Sequence, residues 1–358
     1  MANIFARSPY LIRIAETGQS GSKIELFLSN TSFGGSPQYT LSKLIPASNN
    51  IETLYDISPY IREYISFVIP QDINNTAELN PTNERVNVKV IRYKLVGSTY
   101  TALDTTIYLA FDGYTRYIEN YNYDLGNYGL DEGNYYYDPN ATFYGQIRVT
   151  TLINSAARYT NLSTGVINTI ALAAQTFDVP RVYGNNYLDG NKVEILNPAG
   201  AVQKTYYFYP QDECKYTPVV IDFVNKYGAW QREFFFKASN DTFSVENTEY
   251  NLLHADTDFI SAGVLSYNPV QGQRQTFNTN GKSSIKVNTG WVDETWGEVL
   301  KQIMLSERIL IYLSDPNEFY RPAKINSKST ELFKHINTKQ INYSLEFEFT
   351  YDVLNSVI

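Results

Sequence analysis

Most of this chain alternates apolar and polar residues with a period of two, the signature of half-buried β-strands. "SPYLIRIAE" and "SKIELFLSN" are two such runs. Thr17-Gly18-Gln19-Ser20-Gly21 separates them and predicts a hairpin. In "ERVNVKVIRYKLVGSTYTALDTTIYLAFDG", Val86, Val88 and Val90 alternate with polar residues. The phase then switches to Ile91, Tyr93 and Leu95, which predicts a bulge near Val90, and Gly97-Ser98 marks the turn. Further hairpins are expected around Asn197-Pro198-Ala199-Gly200 and Lys226-Tyr227-Gly228. The long alternation in "INYSLEFEFTYDV" puts Ile341, Tyr343, Leu345, Phe347, Phe349, Tyr351 and Val353 on one face, as a strand over 341–353.

The period changes to 3.6 in two places. Ser58-Pro59 opens a short helix, because Pro in the first turn sacrifices no hydrogen bond, and Ile57, Ile61 and Ile65 fall at i, i+4, i+8. "VDETWGEVLKQIMLSE" places Trp296, Val299, Leu300, Ile303 and Met304 on one stripe, with Asp293 and Glu294 at the positive end of the helix. The expected fold is mainly β: two β-sandwich-like domains followed by a C-terminal α+β domain with one helix packed on a sheet. The limits read from the pattern are 1–141, 142–265 and 266–358.

One segment breaks both periods. "YIENYNYDLGNYGLDEGNYYYDPN", residues 117–140, holds seven tyrosines and five carboxylates but no lysine or arginine. It is too rich in glycine for a helix and too irregular for a strand, so it is expected to be a long ordered loop, a class usually tied to function. Composition extends the picture. The chain holds 34 asparagines and 31 tyrosines against 29 lysines plus arginines. Asn suits turns, and Tyr covers half-buried pleated surfaces while keeping them wettable. The net charge of −8 lies wholly in 117–270, since 1–116 and 271–358 each balance. An acidic chain argues against nucleic acid as a partner. No run of apolar residues is long enough to predict a membrane span. Arg13 and Glu16 interrupt the start where a signal peptide needs an apolar stretch, so maturation in a cytoplasm is expected.

Little points to catalysis. Cys214 is the single cysteine, flanked by Glu213 and Lys215, and no nucleophile–base motif or phosphate-binding glycine loop is present. His254 lies near Asp256 and Asp258 but lacks the spacing of a structural metal site, and His335 has no neighbour of that kind. Asp124, Asn127 and Asp131 do not match a calcium-loop pattern. No catalytic, cofactor-binding or metal-binding residue is assigned. Two readings of the tyrosine segment remain. It is either a sugar cleft with stacking rings and a carboxylate pair, or a protein-recognition surface. Tyr mixed with adaptable Asn and Gly is the composition of the latter. Tyr121, Tyr123, Tyr128, Tyr135, Tyr136 and Tyr137 are therefore expected to pack mainly on another polypeptide.

Several stretches together resemble a family of virion structural proteins of tailed phages infecting Bacteroidota, including crAss-like phages. They are "FARSPYLI", "YDISPYIREYI", "LAFDGYTRYIE", "VIDFVNKYGAWQ", "VNTGWVDE", "KQIMLSERILIYL" and "INYSLEFEFTYDV". The resemblance implies a non-enzymatic neck, tail-ring or baseplate component, assembled in the host bacterial cytoplasm as a ring of identical copies that docks other virion proteins. It brings no catalytic residues. The alternatives are a phage adhesin acting on host glycans and a capsid decoration protein.

Overall fold

The computed structural model describes residues 3–46, 52–67, 77–80, 84–126, 128–140, 146–148, 155–172, 179–184, 186–252, 260–261, 264–265, 272–312, 320–329 and 341–354. His254 and His335, and Asn127 of the tyrosine segment, lie outside them. The chain is mainly β, as expected, and the described residues include two α-helices, α1 (Ser58–Tyr64) and α2 (Trp296–Met304).

The N-terminal part is built on a five-stranded sheet. In spatial order its strands are Asn3–Phe5, Thr99–Phe111, Arg85–Val96, Gly21–Ser29 and Tyr39–Leu44, the first pair parallel and the rest antiparallel. The hairpin expected between the first two apolar runs is not there. Leu11–Ile14 pairs instead with Thr53–Asp56 in a separate two-stranded sheet. The reason lies in the core. Ile12 and Ile14 from one run, and Ile24, Leu26 and Leu28 from the other, all enter the same buried cluster with Ile57, which precedes α1, and Ile61 of α1. Both runs bury an apolar face in one place, so they stack across layers and do not share an edge. Ser22 joins the layers, its hydroxyl 2.7 Å from the Tyr55 hydroxyl. The expected bulge in the 85–111 hairpin is present two residues beyond Val90, between Arg92 and Tyr93, where the extra residue, Leu103, belongs to the partner strand.

Most of the remainder is sandwich-like; a three-stranded sheet (Gln146–Arg148, Val179–Tyr183, Ala77–Asn80) and a two-stranded one (Ile260–Ser261, Val264–Leu265) complete the described strands. The sandwich's five-stranded sheet runs Ile167–Leu172, Ser155–Asn161, Asn191–Leu196, Val202–Pro210 and Gly133–Tyr137. Its seven-stranded sheet runs Trp230–Phe235, Val219–Val224, Ile309–Tyr312, Arg321–Ile325, Ser344–Phe349, Arg274–Asn288 and Asn240–Asn251. Tyr137, Tyr159 and Phe208 from the first, Phe223, Phe235 and Phe347 from the second, and Trp296, Leu300 and Ile303 of α2 form one buried cluster. These sheets cut across the limits read at 141 and 265. Gly133–Tyr137 adds to strands of 142–265, and 219–251 shares a sheet with 274–349. Val219–Val224 is buried at every position, so it needs neighbours on both edges. Ile309–Tyr312 supplies one of them. The last strand is shorter than its alternation. Ile341 through Phe349 are buried on schedule, but the Thr350 amide turns to Pro322 O at 3.0 Å, and Tyr351 and Val353 are exposed.

The 225–229 turn fastens the sandwich to the N-terminal sheet. Tyr227 packs with Phe5 and Phe111, and the Tyr114 amide donates to Lys226 O at 2.8 Å. Gly228 has φ +71°, and a Cβ there would lie 2.7 Å from the backbone nitrogens of Asp112 and Gly113. Gly228→Ala is therefore expected to cost about 1–3 kcal/mol in urea denaturation, from left-handed strain and lost close approach.

Candidate interaction surface

The tyrosine segment divides into an exposed first half and a buried second half. Arg116 starts it. Its backbone N–H donates to Glu119 Oε2 at 2.6 Å, closing a single 3-10 turn over Tyr117–Glu119, and its guanidinium pairs with Glu298 of α2. Asn120 and Asn122 then take positive φ, which Asn tolerates better than most residues. The Asn122 side chain grips the Leu11 backbone like a neighbouring strand: it accepts from Leu11 N and donates to Leu11 O, both at 2.7 Å. Asp124 accepts from Asn3 N and Asn3 Nδ2 at 3.2 Å each, and from Gly126 N at 2.9 Å. Between these anchors the apolar side chains face water. Tyr117 is 97% exposed, Ile118 80%, Tyr121 66% and Tyr123 47%.

The second half turns inward. Asn225 Nδ2 donates to Gly129 O at 2.7 Å. Asp131 accepts from Tyr227 Oη and Gln302 Nε2 at 2.8 Å each and pairs with Lys226 Nζ at 2.7 Å. Gly133–Tyr137 then runs parallel to Val202–Pro210. Tyr135 is 6% exposed and Tyr137 1%. Tyr135 stacks on Phe208 with centroids 5.5 Å apart and donates to Asp131 O at 2.6 Å. Tyr137 donates to Tyr187 O at 2.7 Å. Burial holds the Tyr135 hydroxyl well above its usual pKa.

The expected interface set is thus corrected. Tyr135 and Tyr137 are core residues of their own chain and cannot pack mainly on another polypeptide. Tyr128 and Tyr136 are half-buried against that core, and burial, with Asp293 beside it, pushes the Tyr136 hydroxyl up to about 12. Tyr121 and Tyr123 remain as surface residues, and Tyr117 and Ile118 join them. The sequence offered a signal for that pair: Arg116 and Glu119 bracket them at the spacing that closes one turn.

The five carboxylates of the segment all have partners within the chain. Besides Asp124 and Asp131, Glu119 accepts from Arg116 N, Glu132 from Thr205 N at 3.1 Å, and Asp138 from Asn140 N at 2.9 Å. A cleft of about 560 Å³ opens elsewhere, lined by Arg7, Ser8, Asp56, Ser58, Arg62 and Asp112 among others. Two of its carboxylates are engaged by the fold. Asp112 meets Arg62 Nε at 3.0 Å, and Asp56 accepts from the backbone N–H of Tyr10 and Ser58. Cys214 is exposed. No helix among the described residues is long and apolar enough to cross a membrane.

A buried polar chain holds the segment to the sandwich. From Gly129 it passes through Asn225 to Gln231 Oε1 at 3.0 Å. Gln231 donates to Glu233 Oε1 at 2.7 Å, and Trp296 Nε1 donates to Glu233 Oε2 at 3.3 Å. Burial raises the Glu233 pKa to about 7, partly opposed by the bonds from Gln231 and Trp296. The folded state therefore favours the protonated acid. Its stabilising effect is complete below the unfolded pKa, near 4.5, and is lost as pH rises through about 7. Glu233→Gln is expected to remove this dependence. The stability difference between variant and parent should shift in the variant's favour by on the order of 3 kcal/mol from pH 4 to pH 8, read by urea denaturation.

No protein-family model, characterised protein or solved structure matches this chain.

Proposed function

We propose that this chain is a non-enzymatic structural subunit of a tailed-phage virion, forming a ring in the neck, tail or baseplate and docking neighbouring virion proteins. The family-like stretches in the sequence motivate the setting. The observation that carries the role is the run of exposed apolar side chains at Tyr117, Ile118, Tyr121 and Tyr123, set between backbone anchors. Each anchor beneath it is a bond within the chain, so the face is already ordered when a partner arrives and association costs little conformational entropy. Exposed aromatic clusters of this kind mark protein contacts, where a few such residues dominate the energy. A ring also multiplies a modest contact.

The test is Tyr117→Ser/Tyr121→Ser/Tyr123→Ser. None of the three side chains is buried, so the variant should fold with an unchanged circular dichroism spectrum. Its self-association or its docking to virion proteins should weaken at least about tenfold, equivalent to 1.4 kcal/mol. Assembly at parental strength would remove the face from the account, and selective binding of the parent to a glycan array would favour the adhesin alternative.

A further inference from the structure

The seven-stranded sheet has one covered edge and one open edge. Trp230–Phe235, at one side, is buried at every position. Asn240–Asn251, at the other, is exposed at all of its positions and, among the described residues, pairs on one side only, with Arg274–Asn288. That neighbour has Ser344–Phe349 beyond it only from Ser284 to Asn288. Farther along, the Val353 amide donates to Gly281 O at 2.9 Å and the Leu354 amide to Asn280 Oδ1 at 3.0 Å, so from Asn247 to Asn251 the structure is a ribbon of two strands, roughly 17 Å long at about 3.4 Å per residue. Such a ribbon is marginal in water by itself, and a long free edge is a template for another strand. The exposed residues of the edge strand include Phe243, Val245 and Tyr250. Its charges are Asp241, Glu246 and Glu249, with no cation in the strand.

A second open edge lies on the N-terminal sheet. Tyr39–Leu44 is its outermost strand and, among the described residues, pairs only with Gly21–Ser29. It carries Lys43 and no carboxylate. Leu44 is 74% exposed and lines a cleft of about 260 Å³ with Lys43, Pro46 and Leu54, room for one aromatic side chain. Glu52 at the rim is taken by Arg13 at 2.6 Å.

We propose that the Asn240–Asn251 edge of one copy adds as a further strand to the Tyr39–Leu44 edge of the next copy. Glu246 is held by Lys282 at 2.8 Å, so Asp241 or Glu249 of the first edge meets Lys43, and an aromatic ring of that edge enters the cleft beside Leu44. Main-chain hydrogen bonds between strands supply affinity, and side chains supply register. Self-pairing of the acidic edge would oppose like charges, so the two different edges are the complementary couple. The contact is heterologous and leaves each copy with one edge to offer and one to fill, which is the condition for a closed ring. This inference rests on the self-assembling reading above and names the surface that does it.

The experiment is charge exchange read by sedimentation velocity. Lys43→Glu and Asp241→Lys/Glu249→Lys are separate variants, and a third chain carries all three changes. Every substituted side chain is exposed, and circular dichroism checks the fold. Each separate variant should raise the dissociation constant of the oligomer at least tenfold, and the combined chain should recover most of the loss. Leu44→Asp should break assembly from the same edge independently of exchanged charge. Oligomers indifferent to all four variants, or a combined chain whose losses simply add, would overturn the strand pairing and leave the ring reading standing. A parent chain that stays monomeric at its highest soluble concentration would overturn both.

Discussion

Trp296→Ala is expected to cost about 3–5 kcal/mol of stability, among the largest effects of any single substitution in this chain. The indole is the hub where α2 meets the sandwich. It packs edge-on against Phe235 with centroids 5.8 Å apart at 84°, and it stacks on Tyr343 at 5.9 Å and 21°. Truncation leaves a cavity lined by the Phe235 and Tyr343 rings, which are held in place by their own backbones. It also withdraws the Nε1 donor from buried Glu233, a further loss because a buried acceptor loses a partner. Urea denaturation followed by near-ultraviolet circular dichroism reads the change. Trp296→Phe, which keeps most of the volume but not the donor, should recover the larger part of it. A loss under about 1 kcal/mol in the alanine variant would mean that α2 is not a principal element of the core.

Asp222→Ala is expected to cost a similar amount, about 3–5 kcal/mol, for an electrostatic reason. Asp222 and Arg232 face each other across the 219–235 hairpin, and each side chain is 2% exposed. The guanidinium reaches the carboxylate through two bonds, of 2.7 and 2.6 Å, and donates to Tyr320 Oη at 3.0 Å. Removing the carboxylate strands a cation in the interior. Replacing both partners together, as Asp222→Leu/Arg232→Met, removes the desolvation penalty along with the attraction. The double variant should lie within about 2 kcal/mol of the parent. The sign of the coupling is the test. A double variant as unstable as the sum of its parts would show that the two charges act separately.

This pair was legible in the sequence. "VVIDFVNKYGAWQREFFF" places an acid in an apolar run and a base at the mirrored position about Tyr227, the centre of the expected turn. The helical stripes were legible too, since α1 and α2 bury the isoleucines and the Trp296–Ile303 stripe that periodicity selected. What periodicity could not supply was which strands become neighbours. Leu11–Ile14 finds Thr53–Asp56 across some forty residues, because partner choice follows from a shared core and not from the nearest turn. The tyrosine segment shows the same limit at the level of the site. Seven tyrosines in one composition-biased stretch look equivalent in sequence. Their burial is decided by where Gly133–Tyr137 meets Val202–Pro210, a contact between residues some seventy positions apart. The exposed half starts from short-range chemistry, an Arg116–Glu119 turn and two asparagines at positive φ, but its place is set by distant partners, Leu11 for Asn122 and Asn3 for Asp124.

The central claim is that the face of Tyr117, Ile118, Tyr121 and Tyr123 exists to be covered by protein. An electron cryo-microscopy map of the assembled particle containing this chain tests it most directly. The account predicts a closed ring in which Tyr117 and Ile118 are buried against an adjoining chain. A ring or lattice in which those two side chains stand open to solvent would contradict it.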